Sequence, residues 1–154
     1  MHTVELLLDS ALEDRVRRLW STLEEAGLPS LATHPHVTNR PHLTVVSAAA
    51  LEGLPDLGLP LEVELGAVGF LGRAAVWEVR PTAALRELQA KVWAALPEAW
   101  PPPEEFVPHV SLALRVRADQ HDAVLAALGN VTHARGQFVA ARSYDTATRT
   151  VTGL

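Results

Sequence analysis

Two short segments hold the residue types that proton-transfer chemistry needs. One is Pro41-His42-Leu43-Thr44-Val45-Val46, the other Pro108-His109-Val110-Ser111-Leu112-Ala113. Imidazole titrates near neutrality, so one ring can be neutral while another is cationic at the same pH. The neutral ring can take a proton from water, and the cationic ring can give one to a leaving oxygen. The hydroxyls of Thr44 and Ser111 can each donate a hydrogen bond to a non-bridging phosphate oxygen and stabilise its developing charge. Such a set suits phosphodiester hydrolysis and uses no metal.

For this to work, both segments must be strands, and the strands must meet. Successive strand side chains alternate faces. His42, Thr44 and Val46 then share one face, with Leu43 and Val45 on the other. His109, Ser111 and Ala113 share a face, with Val110, Leu112 and Leu114 opposite. The apolar sets can fill a core while the imidazoles and hydroxyls look into a cleft.

The surrounding pattern supplies a reason for the two segments to meet. Residues 2–8 read as a strand. Ser10 and Glu13 have capping-box spacing and open a helix that buries Leu12, Val16, Leu19, Trp20 and Leu23. After the His42 strand, Ala48 to Leu51 can form a helical turn, and Leu61–Leu65 alternates as a half-buried strand. Ala75–Val79 is a strand, and Pro81-Thr82 opens a helix burying Leu85, Leu88, Val92 and Leu96. The His109 strand follows, then a helix with Val124, Leu125 and Leu128. Residues 136–142 and 147–152 form a closing hairpin. The order of elements over 2–70 is repeated over 75–142. The expected fold is α+β: one domain over 1–154, bilobal and pseudo-two-fold. Two antiparallel sheets carry helices on their outer faces and enclose a central cleft.

The motifs Pro41-His42-Leu43-Thr44-Val45 and Phe106-Val107-Pro108-His109-Val110-Ser111-Leu112 resemble the paired His-x-Thr/Ser motifs of the 2H phosphoesterases, the group containing the bacterial 2′-5′ RNA ligase-like proteins. Gly69-Phe70 ahead of Val76-Trp77 is similar to that group as well. The resemblance spans nearly the whole chain in element order. It implies that His42 and His109 are catalytic and that 2′,3′-cyclic phosphates are opened, to a 2′-phosphomonoester in RNA-processing members. It also implies reversible 2′-5′ ligation in some members. RNA-ligase-like members often carry a basic residue five positions after the second histidine. Leu114 stands there in this chain, and Arg115, of the same strand parity as His109, is the candidate substitute.

Bulk properties bound the partner. The chain has 154 residues, 48% hydrophobic, with a formal net charge of −5. That balance argues against a long nucleic-acid tract, which needs a basic stripe. It allows a small nucleotide or an RNA terminus with a cyclic phosphate, bound in a locally cationic pocket. With no cysteine there is no thiol nucleophile and no Cys-based zinc site. The run Leu6-Leu7-Leu8 is too short for a membrane span. A cytoplasmic monomer without cofactor is the expectation.

Other candidates are weaker. His36-Val37-Thr38 also follows a proline, but Pro41 interrupts any strand there, so His42 is preferred. His34 and His36 could join His42 around a metal, but no nearby carboxylate or cysteine completes the site. His121-Asp122 reads as solvated helix start. Phe70, Trp77 and Phe106 could stack on a base, against ordinary core packing, which is preferred for Trp20, Trp93 and Trp100. Arg40, Arg73 and Arg115 could touch phosphate. The rival readings are a non-catalytic nucleotide- or RNA-end-binding module using the same cleft, and a structural partner protein with a large apolar patch.

Overall fold

Val4 to Leu8 are buried on both faces of the first strand, β1 (His2–Leu8), so only Glu5 interrupts an apolar run there. Asp9 stops the strand and caps helix α1 (Ser10–Glu25), its side chain accepting from the Leu12 amide at 2.9 Å. The cap is therefore Asp9, one residue before the expected Ser10. The reason is geometric: the second carboxylate oxygen of Asp9 also accepts from Gln137 N at 2.7 Å, which pins the strand-to-helix corner. In a computed structural model, residues 1–34, 36, 38–129 and 131–154 are described. Pro35, Val37 and Asn130 lie outside the described residues, so the Pro35–Thr38 motif is described only at His36 and Thr38.

The remaining elements are β2 (His42–Ala48), β3 (Leu61–Leu71), β4 (Ala74–Val79), α2 (Ala83–Ala95), β5 (His109–Ala113), α3 (His121–Leu128), β6 (Ala134–Asp145) and β7 (Thr150–Gly153). Thr82 caps α2, its hydroxyl accepting from Leu85 N. No helix follows β2. The stretch from residue 49 to 60 is irregular, as Gly53, Pro55, Gly58 and Pro60 dictate.

All strand pairings are antiparallel, and the order is β2-β1-β6-β3-β4-β5, with β7 also on β6. The two expected sheets are thus one hydrogen-bonded sheet. The long strand β6 joins them: its first half pairs with β3 from Ala134 to Phe138, and from Phe138 onward it pairs with β1. Read from either end, the order is unchanged when β1, β2 and β3 are exchanged for β4, β5 and β6.

The two histidine strands are the ends of this order, yet Cα atoms of β2 and β5 come within 8 Å of each other. The sheet curls until its edges meet. Each edge is tied by a helix from the opposite half. Trp20 of α1 donates to the Ser111 carbonyl of β5 at 3.1 Å. Gln89 of α2, fully buried, points its amide at the Val45 carbonyl of β2 and donates to Pro101 O at 2.8 Å. Ser47 and Trp100 exchange backbone hydrogen bonds, both 2.8 Å.

Alternation in β2 holds only up to Val45. Val4 pairs with Val46 and Glu5 with Thr44, so Val45 is an inserted bulge residue. Val45 and Val46 are both fully buried as a result, and Val46 leaves the face it would otherwise share with His42 and Thr44.

Gly136 of β6 is where α1 crosses closest. A Cβ there would collide with the Asp9 carboxylate and the Leu12 side chain, and Asp9 cannot retreat without losing its two amide bonds. Gly136→Ala should cost about 1–3 kcal/mol, as overpacking does, and lower Tm by roughly 3–10 °C in a chain of this size. Thermal unfolding followed by circular dichroism checks this.

Candidate active site

Pro41 and Pro108 bring each histidine into its strand from an extended approach, since proline fixes φ and cannot continue a ladder. Each ring is then locked by its own backbone. His42 Nδ1 lies 2.7 Å from the Arg40 carbonyl, and His109 Nδ1 lies 2.7 Å from the Val107 carbonyl. A carbonyl can only accept, so Nδ1 carries the proton in both rings. The reactive lone pair, or the second proton, sits on Nε2 in both.

His42, Thr44, Glu5 and Arg142 line a cleft of about 620 Å³, together with Tyr144, Arg149 and the loop residues His34, His36 and Arg40. A smaller cavity of about 200 Å³ shares His42, Arg40 and Leu114 with it and adds Ser111 and Trp20. The fold therefore brings His42, Thr44 and Ser111 to one connected space. His109 stands two residues before Ser111 on β5, half-buried, and is not among the walls of either cavity.

The cleft is locally cationic in an acidic protein. Among the described residues, Glu5 is its one acidic wall residue. It is only 4% exposed, and Arg142 donates to its Oε1 at 2.8 Å. Thr3 donates to its Oε2 at 2.8 Å. That same Oε2 lies 3.7 Å from His42 Nε2. Arg40 is paired with Glu13 of α1. Asp145 heads the turn that carries Arg149, and the Ala147 amide holds its carboxyl below the usual carboxylate range. Among the described residues, no group of three His, Cys, Asp or Glu side chains is placed to hold a metal ion.

Three candidates for substrate contact have surroundings other than those expected. Trp77 has no exposed surface and donates its indole N–H to Gly66 O, so it is core and offers no face to a base. Phe70 is half-buried, and its ring already stacks on His121, with centroids 3.9 Å apart and planes 8° from parallel. His121 is accordingly a packing residue rather than solvated surface. Arg115 lies beyond the end of β5 at φ 56, so strand parity does not extend to it, and Leu114 reaches the cleft instead. Trp93 and Trp100, expected in the core, are 37% and 59% exposed.

Glu5, Arg142, Thr3 and Tyr144 escaped sequence reasoning, although one signal was present. An acidic residue within a strand buried on both faces needs a buried partner. Arg142, flanked by Ala141 and Ser143 in the closing strand, is the matching cation.

Both locked rings should show the Nδ1–H tautomer when neutral. A long-range ¹H–¹⁵N spectrum of the imidazoles, taken at a pH where they are uncharged, reads this directly. An Nε2–H pattern for either ring would contradict the anchoring.

No curated protein matches the chain. Among solved structures, the crystal structure of the MHV ns2 PDE domain is similar. It is 17% identical with a TM-score of 0.59, over 99% of this chain and 97% of that one. At that identity the likeness speaks for the fold. The family model of the 2′-5′ RNA ligase superfamily matches residues 8–146, a span that takes in both histidine motifs, and the chain belongs to that superfamily of 2H phosphoesterases.

Proposed function

We propose that this protein is a metal-independent phosphodiesterase that opens a 2′,3′-cyclic phosphate on a nucleotide or RNA end, with His42 and His109 as its acid–base pair. The observation that carries this is the identical anchoring of the two imidazoles, each by the carbonyl two residues back, on edge strands that lie together. The exchange-invariant strand order supports a duplicated, two-lobed arrangement with one histidine from each half. Membership of the superfamily supports the reaction class.

The chemistry is complete with these residues. Water attacks phosphorus in line with a ribose oxygen. The neutral ring takes a proton from the water as the new P–O bond forms. The cationic ring protonates the departing ribose oxygen as the old bond breaks. Thr44 and Ser111 hydroxyls hold the non-bridging oxygens and stabilise the growing charge. With a 5′-hydroxyl in place of water as the attacking group, the same two proton transfers join a 2′-5′ linkage as the 3′ oxygen departs.

His42→Ala or His109→Ala should each lower turnover of a nucleoside 2′,3′-cyclic phosphate by about 10²–10⁴-fold, with Tm little changed for His109→Ala. EDTA should leave the rate unaltered, and ³¹P NMR should show a 2′-phosphomonoester. Tight binding of the cyclic phosphates without product would instead support a non-catalytic end-binding module. Full activity in both variants would overturn the mechanism.

A further inference from the structure

The two motifs are alike, but their surroundings are not. Among the described residues, the ion-pair contacts of histidine are His42 with Glu5 and His2 with Asp145. His109 has Glu78 opposite it in register on β4, but that residue is exposed and not in ion-pair contact with it. Glu5 is the opposite case. It is buried, pairs with Thr44 across the ladder, and cannot swing away, because Arg142 and Thr3 hold one oxygen each.

We propose that Glu5 is a positioning residue for His42: clamped by Arg142 and Thr3, its Oε2 stabilises a proton on His42 Nε2 and makes His42, rather than His109, the ring that donates. This rests on the paired-histidine reading above. His42 Nδ1 is fully committed to Arg40 O, so Nε2 is the only place for the second proton. A buried carboxylate 3.7 Å away acts on that place directly. In the reaction, the Nε2 proton passes to the departing ribose oxygen while His109 accepts one from water. The pair then exchanges both with solvent to reset.

The other charged and titratable groups facing His42 fit this account. From β6 come Arg142, held 2.8 Å from Glu5 Oε1, and Tyr144. From the preceding loop come His34, His36 and Arg40, the last paired with Glu13 of α1. Arg149 stands on the β6–β7 turn, and β5 and the residue after it contribute the neutral Ser111 and Leu114. Glu5 is the one anion among them, and Arg142 is the cation that both immobilises it and tempers its field.

The test is an NMR titration of both imidazoles in the intact protein, with no ligand present. In Glu5→Gln, the His42 midpoint should fall while that of His109 stays put. In Arg142→Gln, the His42 midpoint should rise. Should either variant fail to fold, Thr3→Val keeps both charges and removes the hydroxyl that donates to Oε2 and accepts from Tyr144 N, and it too should raise the midpoint. A purely structural Glu5–Arg142 pair would change Tm and leave these midpoints alone. A His42 midpoint unmoved in the variants that fold would overturn the proposal. Because the titration needs no turnover, an inactive wild type with moving midpoints would sink the phosphodiesterase reading, and His42's part as donor with it, and spare the coupling of Glu5 to His42. An active wild type with fixed midpoints would do the reverse.

Discussion

An edge strand must find partners for its outward-facing amides and carbonyls or leave them to water. Here the two edges of one curled sheet are the two histidine strands, and each is finished by the other half of the chain. The indole of Trp20, on the helix after β1, takes the Ser111 carbonyl of β5. The amide of Gln89, on the helix after β4, points at the Val45 carbonyl of β2 and anchors on Pro101 O. Trp100 supplies a backbone pair to Ser47. Together they decide how far apart the two motifs sit, and so whether a single phosphate can meet both.

Within that frame, each motif solves its own orientation problem locally. The proline before the histidine keeps the preceding residues extended, and a carbonyl two residues back fixes the ring. Nothing remote is needed to select the tautomer. The bulge at Val45 performs a different task. It keeps His42 and Thr44 turned to the cleft and lets Val45 and Val46 both enter the core. It also leaves an odd carbonyl for Gln89. A strict alternation would have pointed Val46 at the ligand instead.

Much of this was legible in the sequence because it is local. Proline-histidine-x-hydroxyl followed by apolar residues reads as a strand with two faces, and the spacing of Leu12, Val16, Trp20 and Leu23 reads as a helix with one. What stayed hidden depends on partners far along the chain. That the two halves form one sheet depends on β6 being long enough to pair with both β3 and β1. The parity assigned to Arg115 assumed that β5 continued, whereas the strand ends at Ala113. Trp77 looked available for stacking because its burial is set by elements packed from elsewhere. Glu5 and Arg142, separated by 137 positions, meet only through β1–β6 register.

That last pair bears on how a duplicated pattern can do directional chemistry. The two motifs are alike, whereas the proposed hydrolysis needs one ring to hold a proton and the other to lack it. The motifs themselves cannot break the tie, since both rings are anchored in the same way at the same distance. The difference must come from the strand beside each motif. Next to β2, that strand places a buried, doubly held carboxylate against Nε2. Next to β5, it places an exposed glutamate outside ion-pair contact. A charge in low dielectric acts far more strongly on its neighbour than one in water. Two motifs that are alike in sequence therefore stand in unlike surroundings because of what the sheet sets beside them.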